Sequence, residues 1–146
     1  MKLLSLHCDY IKFKAVKKAI KEPEELSDEQ KKEKKIEEAL VILTAVEKGD
    51  DLSIVDEYLK NIKDIAKQVK AKNIVLYPYA HLSSNLSLPD VAENILKEAE
   101  LTLRKDKEFS VTRAPFGYYK EFELKCKGHP LSELSRSFGN VGKETD

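Results

Sequence analysis

The sequence lacks any imbalance of charge. Its 26 lysines and arginines are matched by 26 aspartates and glutamates, so nothing is left to build the polybasic surface that binds long nucleic acid. Capture of a single RNA end stays open, because that needs a pocket more than a field. Cysteine is scarce too: Cys8 and Cys126 alone do not make a disulfide framework and fit a reducing cytoplasm. His7, Cys8, Cys126 and His129 are residue types that suit zinc, yet neither pair repeats a finger spacing. Cys8 reads better as a small apolar residue at a strand end, and no metal is expected. There are no internal repeats and no apolar run long enough to cross a membrane. Lys2-Leu3-Leu4-Ser5-Leu6 is too short even for a secretory signal. These absences leave an intracellular, cytoplasmic protein whose 146 residues suffice for one domain with a real core. Its charged fraction of 36% would suit the surface ion pairs of a thermophile.

What is present is a succession of short patterns. Lys2 to His7 reads as a buried strand and Tyr10 to Phe13 as a second one with a wet face, with Asp9 turning the chain between them. Residues 17–38 are almost all charge around Pro23 and read as a solvated loop with one helical turn after Ser27, to which no function is assigned. Ala39 to Val46 is a continuous apolar run, the mark of a central strand buried on both faces. From Ile54 the period changes. Val55, Tyr58, Leu59, Ile62, Ile65, Ala66 and Val69 share its stripe on a helix, with Ser53 and Asp56 as a capping pair. Asn73 to Tyr79 is the next strand. A second amphipathic helix starts near Ser87 with Pro89 in its first turn and buries Val91, Ala92, Ile95, Leu96, Ala99 and Leu103. Phe109 to Val111 and Tyr118 to Cys126 are strands, Leu131 to Phe138 a short helix, and 139–146 a polar linker. The expected fold is α/β, a mixed sheet with two amphipathic helices on one face.

The strand from Tyr118 carries one residue that does not fit its face. Tyr118, Lys120, Phe122, Leu124 and Cys126 point one way and Tyr119, Glu121, Glu123 and Lys125 the other. A lysine on a core-facing side is costly unless it is paired or lines a cavity. Two readings stand: Lys120 snorkels to water past Tyr118, or it is a site lysine tuned by burial. His81, in the loop after Tyr79, is on spacing alone an ordinary capping histidine.

The segments LHCDYIKF, YPYAHLSS and APFGYYKEFELKCKGHPLSELSR, in this order, resemble the N-terminal editing domain of archaeal threonyl-tRNA synthetases from Met1 to about Phe138. The resemblance implies a D-aminoacyl-tRNA deacylase-like fold. It also implies hydrolysis of serine mistakenly attached to threonine tRNA, with D-aminoacyl-tRNA left open as a second substrate. By the same resemblance His81, Tyr119, Lys120 and Glu133 surround the seryl group, and backbone groups of Pro78, Ala80 and Phe116 meet the adenosine and the carbonyl oxygen. The ribose 2′-hydroxyl would assist, so no strong protein base is required and no cofactor is expected. The implied partners are the 3′ end of threonine tRNA carrying serine, the remaining synthetase domains and a second copy of the chain. The alternative is a noncatalytic module that only binds the tRNA end. Tyr119 lies opposite Lys120 in a regular strand unless Gly117 introduces a bulge. Two features depart from the family: Cys8 where serine is usual, and the lysine-rich stretch before Ile36.

Overall fold

The computed structural model describes residues 1–139. In chain order its elements are β1 (Lys2–Lys18), α1 (Asp28–Lys31), β2 (Lys34–Ala45), α2 (Ile54–Val69), β3 (Asn73–Pro78), a 3-10 turn (Ala80–Leu82), α3 (Pro89–Arg104), β4 (Ser110–Arg113), β5 (Tyr118–Cys126) and β6 (Glu133–Ser137). They build one mixed sheet of 6 strands in the order β4-β3-β2-β1-β5, with β6 also paired to β1. The strands β2, β3 and β4 run parallel, and β1 is antiparallel to β2, β5 and β6.

The apolar run at Ala39 to Val46 becomes most of β2, and it is central as its two-sided burial requires. Its alternate residues feed two cores. Leu40 and Ile42 join Leu3, Ile74 and Leu76 beneath the apolar stripes of α2 and α3. Ala39, Val41 and Leu43 join Cys8, Ile11, Phe13, Val75 and Tyr77 on the opposite face, in a cluster that contains no residue of α2 or α3. Leu4, Leu6 and Leu124 lie only partly buried around that second cluster.

Four expectations need correction. Asp9 does not turn the chain, because β1 runs through it as a bulge against β5, where Cys8 pairs with Cys126 and Tyr10 with Lys125; toward β2 the register is kept and Asp9 and Glu38 are both skipped. Their carboxylates share the Lys127 ammonium at 2.6 and 2.9 Å, which holds the extra residue inside the strand. The charged stretch is not one solvated loop, since β1 reaches Lys18 and β2 begins at Lys34. The turn after Ser27 does form, closed by a capping box between Ser27 and Gln30. Ser53 makes no side-chain cap for α2; Asp51 instead accepts from its N–H and hydroxyl. Leu131 to Phe138 is not a helix, because Glu133–Ser137 adds to the β1 edge that β5 leaves free, from Lys2 to Leu6. The linker expected at 139–146 lies, apart from Gly139, outside the described residues.

Ile42, fully buried in the middle of β2, should report on the helix-side core. Ile42→Ala is expected to lower unfolding stability by about 2–5 kcal/mol, measured by equilibrium urea unfolding.

Candidate functional site

A cavity of about 490 Å³ opens where β2 and β3 end, flanked by the start of α3 and the start of β5. Parallel strands place their carboxyl ends and the following loops at one edge, the usual site for binding in such sheets. Thr44 to Val46 and Tyr77 to Pro78 supply the floor, the Ala80–Leu82 turn one wall, and Phe116 to Lys120 another. The turn is anchored from below. Glu47 accepts from the Ser83 hydroxyl at 2.6 Å, and Ser87 N–H donates to Val46 at 3.1 Å.

Lys120 reaches this cavity half-buried. Its Nζ donates to the carbonyls of Pro115 at 2.8 Å and Tyr118 at 3.0 Å and lies 5.2 Å from the ring centroid of Tyr77. An ammonium has three protons, so one remains to meet a ligand. Burial pushes the amine down to about 8, and the nearby Glu24 carboxylate opposes that shift. The amine lines the cavity and turns back onto its own loop rather than out to water.

Of the other expected residues, Pro78, Ala80, His81, Phe116 and Tyr119 all line the same cavity. His81 is exposed, its ring 5.2 Å from that of Tyr79. Tyr119 is 55% exposed with Lys17 over its ring. Its strand irregularity falls on β1 between Ala15 and Lys17, rather than at Gly117. The Phe116 N–H is already taken by Glu24 at 2.7 Å, which removes it as a donor to a bound carbonyl oxygen. Among the described residues the N–H groups of Ala80 and His81 meet no backbone acceptor, so free donors lie on the turn instead. Glu133 is elsewhere. It pairs with Leu6, whereas Lys120 pairs with Ala15, which separates them by roughly 30 Å along β1. His7 and His129 bond to each other at 2.8 Å, and Cys8 points to the opposite face from His7.

Two contributors escaped the sequence reading, Ile20 in the cavity wall and Glu24 behind it. The available signal was the pair of apolar breaks, Ile20 and Pro23, in an otherwise charged run.

Comparison with known proteins gives a consistent assignment. The family model for the archaea-specific editing domain of threonyl-tRNA synthetase matches residues 1–138. A threonine–tRNA ligase of Thermococcus onnurineus is 50% identical over 146 residues, covering 98% of this chain and 23% of the relative. That of Thermococcus sibiricus is 49% identical over 151 residues, covering 100% and 24%. The chain thus spans about a quarter of the length of these relatives. Among solved structures, the c-Myc DNA unwinding element binding protein superposes with a TM-score of 0.69, covering 96% of this chain and 100% of that one. At 11% identity that likeness is one of fold alone.

The depressed Lys120 amine has a thermodynamic consequence. Unfolded, it should titrate near 10.4; folded, it titrates at about 8. Between those values the unfolded chain binds more protons, so wild-type stability rises with pH across that window, and below it the burial cost is fully present. Relative to Lys120→Met, which has no such group, the wild type should gain stability as pH rises from about 8 to 10. Urea unfolding of both proteins over this range checks it, and a constant difference contradicts it.

Proposed function

The chain belongs to the archaea-specific editing-domain family of threonyl-tRNA synthetase, and from that membership we propose that it hydrolyses the ester of L-serine mischarged on threonine tRNA. The observation that carries the reading is the Lys120 ammonium over the Tyr77 ring, two of its protons fixed on backbone carbonyls and the third without a hydrogen-bond acceptor among the described residues. Water adds to the seryl carbonyl carbon, the bond to the ribose oxygen breaks, and that oxygen takes up a proton to leave serine and a free tRNA end. With its third proton Lys120 holds the attacking water or a substrate oxygen. The free N–H groups at Ala80 and His81 are suited to the charge that grows on the carbonyl oxygen. The 2′-hydroxyl of the ribose assists, and His81 orients the substrate without serving as base. The D-aminoacyl-tRNA deacylase-like fold supports the same chemistry, and D-aminoacyl esters are a second substrate class to assay. The domain acts with the rest of the synthetase, of which it matches about a quarter.

Selectivity asks more of the pocket than size alone supplies. A single methyl group in a pocket gives only about 1–3 kcal/mol of discrimination. In this account threonyl and seryl groups both enter, and the extra methyl displaces Lys120 or its water from the reactive position, so discrimination falls on the transition state. Lys120→Met keeps the apolar stem without the ammonium. It should cut deacylation of seryl-tRNA by at least about a hundredfold while retaining the fold and the binding of a nonhydrolysable seryl-adenosine analogue. A threonyl analogue should bind the wild type with similar affinity. Near-normal rates in Lys120→Met, or outright exclusion of the threonyl analogue, favour steric selection instead.

Glu133 takes part only if a second protomer brings it. It shares the face of Leu4 and Leu6 that no helix covers, and a copy of the chain stacked there by its sheet would cover that face and carry Glu133 toward the partner's cavity. Light scattering at micromolar concentration should give the dimer mass, and a monomer mass would refute the pairing.

A further inference from the structure

The segment between β1 and β2 runs along the cavity rather than out into solvent. Ala19 N–H donates to the Gly117 carbonyl at 2.8 Å, and Ile20 lines the cavity wall. Gly117 sits at φ +87° with Pro23 so close that an added Cβ would lie 2.8 Å from it. A side chain there would meet both a left-handed backbone and the packed strap, so loop and strap interlock.

Glu24 makes the interlock polar. Its carboxylate accepts from the Phe116 N–H at 2.7 Å and from the Arg113 guanidinium at 2.6 and 3.2 Å, while its carbonyl accepts from the Tyr118 hydroxyl at 2.7 Å. Arg113 is braced in turn by Glu100 of α3 at 2.9 Å. The Glu24 and Arg113 side chains are only 7% and 8% exposed. Glu24 therefore grips the loop from Arg113 to Tyr118 at its start and middle with its carboxylate, through hydrogen bonds strengthened by charge, and at its end with its backbone carbonyl. The carbonyls of Pro115 and Tyr118 in that same loop hold the Lys120 ammonium.

We propose that Glu24 is the positioning residue of this site, fixing the Arg113 to Tyr118 loop and, through its carbonyls, the place of the Lys120 ammonium. The proposal rests on the hydrolase reading for its rate consequence, though not for its geometry. Glu24 touches no substrate; it acts through the loop. It is also the acid that faces Lys120. The other ionisable groups around that amine among the described residues are Tyr77 of β3, Tyr79 before the turn, His81 within it, and Tyr118 and Tyr119 of its own strand, with Arg113 behind Glu24. The strap that lacked a function in sequence is thereby part of the machinery.

The test uses the whole chain and two readouts, single-turnover deacylation of seryl-tRNA and the NMR titration of the Lys120 side chain. Glu24→Gln keeps the shape and leaves Arg113 paired with Glu100. It is expected to slow the chemical step about ten- to a hundredfold, to leave binding of a seryl-adenosine analogue within about threefold, and to move the Lys120 midpoint downward, since a nearby negative charge is gone. A rate loss without that movement marks a merely structural role and overturns the proposal, as does an unchanged rate. Should Glu24→Gln fail to fold, Glu24→Asp keeps the charge on a shorter arm, and there a reduced rate with shifted Phe116 amide and Lys120 signals supports the proposal, while a normal rate, or a reduced rate with both signals unmoved, overturns it. If the wild type does not deacylate at all, the hydrolase reading fails separately. The positioning claim is then decided by whether the Phe116 amide signal and the Lys120 midpoint shift in Glu24→Gln.

Discussion

An ammonium is tolerated away from bulk water only when its protons have somewhere to go, and the arrangement around Lys120 is organised by that requirement. Two carbonyls and the face of Tyr77 compensate its partial desolvation, but carbonyls can serve only if the loop that carries them is held still. Holding that loop takes Glu24, Arg113 and Glu100, which come from the strap, from β4 and from α3. The site is therefore assembled from distant parts of the chain by one electrostatic demand. Desolvation leaves the amine near the point of losing its charge, unlike a solvated surface cation.

The sheet contributes in two ways. Its parallel part, β2 to β4, gathers the ends of strands and the start of α3 at one edge, which is where the cavity opens. Its antiparallel part, β1 with β5 and β6, carries Lys120 and Glu133 on one long strand's edge at opposite ends. The helix-covered face is complete in a single chain, whereas the other face keeps Phe122 exposed at 44% and Leu4, Leu6 and Leu124 only partly covered.

Much of this was legible where the determining contacts are local. Ala39 to Val46, the stripes from Ile54 and Val91, and the Tyr118–Cys126 strand announce themselves by periodicity; α2 and β5 keep the expected limits, whereas β2 starts five residues earlier, at Lys34. Lys120 was visible as the polar residue on an apolar parity, and the resemblance supplied its neighbours Pro78, Ala80, His81 and Phe116. What escaped depends on partners far along the chain. Glu24 looks like one acid among many until Arg113, 89 residues away, meets it. Leu131 to Phe138 has an ambiguous short pattern, and only the empty edge of β1 decides that it extends as a strand. Asp9 reads as a turn because nothing local shows that Lys127 will hold it in a bulge.

In the proposed reaction the amine of Lys120 is the group that meets the ester in this cavity. A crystal structure of the domain with a nonhydrolysable seryl-adenosine analogue tests it most directly. The seryl group is expected between Lys120 and the Ala80–Leu82 turn, with Nζ within hydrogen-bond reach of its oxygen or of a water beside its carbonyl carbon. An analogue seated elsewhere, or seated in the cavity with Lys120 still bonded only to its own loop, would contradict it.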